Sequence, residues 1–185
     1  EDSGPFRLPV DFKTEVDKKP PPYTHIHTNQ YNPSHRPKRF PPENTVCHCH
    51  GLCGASCLNR SLLVECVSNG AYSNCSIGMS CGNRALTKRQ FAKCRPKREK
   101  GKGWGLVTLQ DVARGDLVQE YVGEVIDDQG MKDRLNNWGT KNPINNDYYV
   151  MRLIPGWYID ARAKGSLSRY INHSCDPNCQ LKKIN

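Results

Sequence analysis

Apolar positions are sparse over the first hundred residues and gather in the last eighty. There they fall into short blocks separated by turn formers. GWGLVTL (103–109) sets turn glycines ahead of a brief apolar run, and LVQEYVGEVID (117–127) is rich in β-branched and aromatic residues around Gly123. YYVMRLI (148–154) and WYIDA (157–161) flank Pro155-Gly156, a strong hairpin signal. Period-two alternation through the first of these puts Tyr148, Val150 and Arg152 on one face, and Tyr149, Met151 and Leu153 on the other. MKDRLNNW (131–138) predicts a short helix closed by Gly139, and LSRYIN (167–172) a single helical turn. Four short strands with hairpin connections make a mainly β domain the expectation.

The N-terminal third shows little periodicity. Nine of the thirteen prolines lie in residues 1–42, in pieces such as KKPPPY and RFPPEN. This segment is expected to be extended, and loosely ordered unless it docks onto the domain; its residue types suggest no chemistry. Hydrophobic residues make up 36% of the chain and mean hydropathy is −0.74, so any core is modest. No run approaches the roughly 18 apolar residues of a membrane helix, and no secretory signal opens the chain, so no membrane partner is expected. The chain lacks an initiator Met and is expected to be a fragment.

Charge is uneven. The net +9 is nearly all in residues 82–104, where nine Lys/Arg face one acid, Glu99; residues 1–81 sum to +1 and residues 105–185 to zero. Lys88, Arg89, Lys93, Lys97, Arg98 and Lys100 are therefore candidates for contact with a polyanion such as nucleic-acid phosphate. A solvated linker is the plainer alternative.

Cysteine carries the strongest compositional signal. Cys47, Cys49, Cys53, Cys57, Cys66, Cys75 and Cys81 fall in 35 residues as C-x-C-x3-C-x3-C-x8-C-x8-C-x5-C. A disulfide framework suits a secreted chain with an even count, and a C-x-C pair is awkward for a bridge. Structural zinc fits better, since it takes four thiolate or imidazole ligands. Two separate four-thiolate sites need eight sulfurs; seven suffice if one bridges two metals, and His48 or His50 offers an alternative eighth ligand. With so few apolar residues here, metal binding would supply the folding free energy.

Two further motifs invite chemistry. GKGWG (101–105) lacks the G-x-G-x-x-G spacing of a dinucleotide loop and precedes a strand, so that reading fails. A glycine turn beside Trp104 still permits close backbone approach to a ligand, or is an ordinary turn. NHSCDPNC (172–179) concentrates Asn172, His173, Ser174, Cys175 and Cys179. A Cys/His nucleophile lacks a local protease signature, and zinc at Cys175 would need ligands from elsewhere.

Taken in order, KGWGL (102–106), EYVGEVI (120–126), YYVM (148–151), YIDA (158–161) and SRYINHSCDPNC (168–179) resemble the SET-domain protein lysine methyltransferases. The cysteine run with CLNR (57–60) and CGNR (81–84) resembles the AWS (associated with SET) zinc module that precedes some of them. The likeness covers about residues 23–185 and is greatest to the group acting on lysine thirty-six of histone H3. It implies a β-clip type fold of small sheets and short helices behind a cysteine-rich zinc module. The expected layout is a Pro-rich extension over 1–44, an AWS module over 45–95 and a SET domain from 96 to 185.

The resemblance also implies site roles. Cys47, Cys49, Cys53 and Cys57 would hold one structural zinc; Cys53, Cys66, Cys75 and Cys81 a second, with Cys53 shared. Lys102, Gly103, Trp104, Asp147, Tyr148, Arg169, Asn172 and His173 would contact S-adenosylmethionine, Asp147 standing where His or Asn is common. Tyr121 and Tyr149 would line the lysine channel, and Cys94 reads as a free thiol. The implied activity is methyl transfer to a histone H3 tail lysine on nucleosomes, by a nuclear, chromosomal and monomeric enzyme. The family's domain continues past NHSCDPNC through an acidic-aromatic motif with a catalytic Tyr and a post-SET segment, whose three cysteines would join Cys175 on a third zinc. If these 185 residues were the whole polypeptide, little or no activity would be expected. A non-catalytic zinc and nucleic-acid module, or a lysine methyltransferase acting on a non-histone protein, are the alternatives.

Overall fold

A computed structural model describes residues 20–37, 46–68, 73–99, 103–141 and 148–184. Lys100, Lys102 and Asp147, all named above, lie outside the described residues. The strands in chain order are β1 (Thr24–His25), β2 (Gln30–Tyr31), β3 (Cys94–Glu99), β4 (Gly103–Thr108), β5 (Glu124–Asp127), β6 (Val150–Ile154), β7 (Trp157–Asp160) and β8 (Lys164–Gly165). The helices are α1 (Leu58–Ser61) and α2 (Asp128–Lys141), with 3-10 turns at Gly78–Ser80 and Leu167–Tyr170.

Three small sheets form. One runs β2-β5-β7-β6; β1 pairs with β8, and β3 with β4. β6 and β7 are the expected hairpin about Pro155-Gly156, with Gly156 at φ 78°. Residues 24–31 of the Pro-rich segment are built into the sheets: β1 runs parallel to β8 and β2 parallel to β5. Asn29 Oδ1 also accepts from Gly123 N at 3.0 Å. Gly123 must be glycine, because a Cβ there would meet the Asp160 carbonyl oxygen at 2.5 Å.

Three element bounds differ from expectation. α2 begins three residues early because Asp127 Oδ1 caps the chain, accepting from Gly130 N at 2.8 Å. It runs through Gly139 to Lys141; Gly139 takes no left-handed φ, so it acts as a tolerated interior glycine. Only Glu124–Asp127 of the 117–127 stretch is strand. The preceding residues spend hydrogen bonds on scattered partners, such as Ala92 N to Val118 O and Gln119 Nε2 to Ala92 O. β6 starts at Val150, after Tyr149 turns to φ 46°, and its ladder shifts between Arg152 and Ile154, ending the simple alternation.

The β core is small: Val122, Val125, Ile159, Ala161 and Tyr170 are buried. Asp160, 2% exposed, lies among them, held by Arg162 Nη2 at 2.8 Å and Arg134 Nη1 at 3.1 Å. Burial alone pushes its carboxyl up; the hydrogen bonds from Arg162 and Arg134 outweigh that and hold it below the usual carboxylate range. The cysteine-rich half has a second core made of sulfur: Cys47, Cys53, Cys57, Cys66, Cys75 and Cys81 are all buried together.

Candidate metal centre and cofactor-channel site

The cysteine core has the geometry of a metal cage. Cys47, Cys49, Cys53 and Cys57 place their sulfurs within 4.8 Å of one another, and so do Cys47, Cys53, Cys66 and Cys75. The Sγ···Sγ separations are 3.7 Å (Cys47–Cys53), 3.9 Å (Cys47–Cys66) and 3.6 Å (Cys53–Cys75). A tetrahedron with zinc–sulfur bonds of about 2.3 Å has edges of about 3.8 Å. Disulfide sulfurs stand about 2.05 Å apart, and no cysteine here is bridged. The donor set therefore fits zinc. The first group is the one implied by resemblance; the second contains Cys47 where Cys81 was expected, though Cys81 is fully buried in the same core. Cys47 and Cys53 both belong to both groups.

Protein hydrogen bonds support these sulfurs. Cys66 Sγ accepts from Asn59 Nδ2 at 3.4 Å and from Asn83 Nδ2 at 3.3 Å, and Cys81 Sγ from Asn83 N at 3.3 Å. Arg60 Nη2 donates to Gly82 O at 2.8 Å, and buried Arg84 donates to Ser68 Oγ at 3.0 Å. The Asn-Arg pairs of CLNR and CGNR thus form the support around the ligands. Burial pushes the Cys47 thiol up to about 12 and the Cys53 thiol upward as well, while at Cys75 burial is outweighed by hydrogen bonds from the Ile77 backbone and neighbouring thiols, which bring it below the ordinary range; Cys47 and Cys53 thus resist ionisation without a cation's counter-charge.

The remaining site residues converge on the 3-10 turn Leu167–Tyr170 and the segment after it. Ser166 caps that turn, its Oγ accepting from Ser168 N at 3.3 Å. Past the turn, Asn172 Nδ2 donates to Trp104 O at 3.2 Å, tying NHSC to β4. Gly103 sits at φ 69° with no described atom within 4 Å of where a Cβ would be; Asn172 and the following His173 are exposed beside this edge, and Tyr148 is exposed at the start of its own segment. That combination of an open glycine turn, an indole and exposed polar side chains fits a polar cofactor with a flat ring.

On the inner side, Tyr121 Oη donates to Tyr149 O at 3.0 Å. Arg169, 6% exposed, has its guanidinium carbon 4.0 Å from the Tyr149 ring centre and 4.6 Å from that of Tyr23. Burial pushes the Tyr121 and Tyr170 hydroxyls up to about 12, with Arg169 pulling the other way, so both stay neutral at working pH. A cavity of about 440 Å³ adjoins Tyr149 and Arg169, walled by Pro21, Arg134, Trp138 and Arg162.

Other expected residues are not brought into a site. Cys175 is exposed with its Sγ 3.9 Å from His173 Nε2, and it belongs to no sulfur cage among the described residues. Lys88 Nζ donates to Cys81 O at 3.0 Å, and Arg89 Nη2 to His27 O at 2.7 Å, so both brace the fold. Lys97 and Arg98 are exposed on β3 and Lys93 just ahead of it, joined by Arg95, which sequence reasoning passed over although strand alternation pairs it with Lys97 and Lys93. Tyr23 was also missed; only its position among prolines was visible in the sequence.

Comparison with known proteins follows the same lines. Residues 103–185 match the SET domain family and residues 51–89 the AWS domain family. The histone-lysine N-methyltransferase ASHH2 of Arabidopsis thaliana is 39% identical over 164 residues, covering 85% of this chain and 9% of that protein. A mouse (Mus musculus) histone-lysine N-methyltransferase described as H3 lysine-36 specific is 37% identical over 176 residues, covering 90% of this chain and 6% of that protein. The chain thus spans less than a tenth of either relative. Among solved structures, Arabidopsis thaliana SUVH6 in complex with SAM superposes with a TM-score of 0.59 at 25% identity, over 86% of this chain and 38% of that one.

Proposed function

The chain belongs to the SET-domain family and carries an AWS module ahead of that domain, and from this premise we propose that it transfers methyl groups from S-adenosylmethionine to a lysine of the histone H3 tail on nucleosomes, with lysine thirty-six as target. The observation that carries this reading is one short segment serving two sides. Arg169 in its 3-10 turn packs on the ring of Tyr149, whose carbonyl accepts from the Tyr121 hydroxyl, while Asn172 just beyond holds the Trp104 strand. A cofactor on the Trp104 side and an amine on the tyrosine side would then meet across one wall.

The residues suit the chemistry. The donor, when bound, supplies an electrophilic methyl on a sulfonium. A free lysine ammonium has a pKa of about 10.4, and an aromatic, water-poor channel lowers it by disfavouring the charged form. The buried Arg169 cation beside Tyr149 acts in the same direction. Neutral tyrosines cannot serve as phenolate bases; they orient. Tyr121 donates to the Tyr149 carbonyl and keeps its own oxygen lone pairs to align the amine and the methyl hydrogens. In-line placement of nitrogen, methyl and sulfur supplies much of the rate. Tyr148 and His173 complete the proposed cofactor contacts, together with Lys102 and Asp147, which lie outside the described residues.

In this reading the AWS module occupies 45–95, the SET domain starts at 96, and two structural zincs share one sulfur; a third would involve Cys175. The enzyme is nuclear, chromosomal and monomeric. Lys93, just ahead of β3, and Arg95, Lys97 and Arg98 on it meet DNA phosphate while the tail enters the channel. The test is radiolabel transfer from S-adenosylmethionine by the zinc-loaded full-length protein to recombinant nucleosomes, individual histones and non-histone proteins. Label on nucleosomal H3 is expected. Label confined to non-histone proteins, or none with nucleosomes still bound, refutes it in favour of a different substrate or a binding module.

A further inference from the structure

Arg169 is a buried cation with an unusual environment. Its Nε and Nη1 are shut off from solvent and have no hydrogen-bond acceptor among the described residues. A buried charge without acceptors is costly, and ring faces are the compensation present. Three tyrosines supply them: Tyr149 at 4.0 Å, Tyr23 at 4.6 Å and Tyr170 at 5.4 Å from the guanidinium carbon. Tyr170 stands edge-on to the other two, 6.1 Å from Tyr23 at 73° and 6.3 Å from Tyr149 at 84°. Tyr23 alone comes from outside the SET stretch. Its place is fixed by the next residues, where Thr24 N donates to Ala163 O and Ile26 N to Gly165 O, each at 2.8 Å. That pairing joins it to β8, the strand leading into the turn that carries Arg169. Tyr149 meanwhile sits at φ 46°, a conformation an aromatic residue adopts only when its surroundings impose it.

We infer that Tyr23, in the segment ahead of the zinc module, is a positioning residue for methyl transfer: its ring holds the Arg169 guanidinium against Tyr149 and so fixes the wall of the lysine channel. This rests on the methyl-transfer reading for its activity arm only. The pre-AWS segment is then a working part of the active site, and β1 is the clamp that delivers it.

The experiment uses four forms of the zinc-loaded full-length protein against the wild type: Tyr23→Phe, Tyr23→Leu, Arg169→Gln and the Leu/Gln double variant. Equal zinc content establishes that each is folded. Tyr23→Leu is expected to lower kcat on nucleosomes by roughly tenfold with a smaller change in KM, since a ring face under a desolvated cation is lost. Tyr23→Phe keeps the face and stays near wild type. In the Arg169→Gln background, Tyr23→Leu has no further effect, because the cation through which it acts is gone. Independent multiplicative losses, or a wild-type-like Tyr23→Leu, overturn the inference. An arginine Nε–H NMR spectrum reads the same contact without any turnover: the Arg169 signal should stay in place in Tyr23→Phe and move in Tyr23→Leu by the share of the ring-current shift that Tyr23 supplies, with Tyr149 and Tyr170 still contributing theirs. Wild-type protein that shows this shift but transfers no methyl refutes the proposed activity and not the Tyr23–Arg169 contact; a shift unchanged by Tyr23→Leu refutes the contact itself.

Discussion

Replacing Cys53 by serine separates a metal-built module from an ordinary core. Cys53 is fully buried and belongs to both sulfur groups, 3.7 Å from Cys47 and 3.6 Å from Cys75. Apart from cysteines, Val64 is the one buried hydrophobic residue among the described positions of 46–89. Burying it is worth about 1.5–3 kcal/mol. Ordering backbone costs about 1–2 kcal/mol per residue, so apolar burial falls far short over a segment of this length. A structural zinc contributes about 10–16 kcal/mol of apparent binding free energy in small zinc domains, several times what Val64 supplies. Cys53→Ser should therefore lose both zincs and the protease resistance of residues 46–89. Cys49→Ser, in one group and only half-buried, should lose one. The assay is elemental zinc per chain, with limited proteolysis. Comparing Cys81→Ser with Cys47→Ser then shows whether Cys47 is shared as well as Cys53: loss of a single zinc from the first and both from the second marks Cys47 as a second bridging sulfur. Retention of two zincs and full protease resistance by Cys53→Ser would refute the reasoning.

Asp160 gives a pH prediction. Its folded carboxyl is held below the ordinary range, so the unfolded state binds more protons between the two values. Its stabilisation is complete above the ordinary carboxylate range and is lost as pH falls through the folded value. Asp160→Asn should flatten that acid limb and cost about 3–5 kcal/mol near neutrality, because Arg162, 9% exposed, is left without its counter-charge; urea melts across pH check both. Tyr121→Phe removes the bond to Tyr149 O, with a net stability cost of about 0.5–1.5 kcal/mol and a larger fall in kcat than in cofactor affinity. Steady-state kinetics and calorimetry separate the two. Replacing Lys93, Arg95, Lys97 and Arg98 by glutamine should weaken nucleosome binding and flatten its salt dependence while sparing activity on a short H3 peptide. Equal loss on both substrates would assign the strand a folding role instead.

Where the sequence could be read, the reason was local chemistry. Pro155-Gly156 between two apolar runs leaves little besides a hairpin, and seven clustered cysteines in a chain poor in apolar residues leave little besides metal. The family motifs also pointed to Trp104 with Asn172 and to Tyr121 with Tyr149, and each of these pairs is joined by a hydrogen bond. What stayed hidden depends on distant partners. The start of α2 depends on Asp127 capping Gly130, a side chain that local pattern also reads as strand. Basic residues look alike in a row, yet Lys88 and Arg89 turn to carbonyls of Cys81 and His27 while their neighbours on β3 face solvent. Tyr23 gained a role only because a two-residue parallel pairing, β1 on β8, carries it to Arg169. A pairing so short leaves no periodic signature.

The central claim is a cofactor cleft formed where β4 meets the residues after the 3-10 turn. Calorimetric titration of the zinc-loaded full-length protein with S-adenosylmethionine tests it most directly. Saturable uptake of one equivalent, abolished or much weakened in Asn172→Ala, is the expected result; no heat of binding, or uptake indifferent to Asn172, would contradict it.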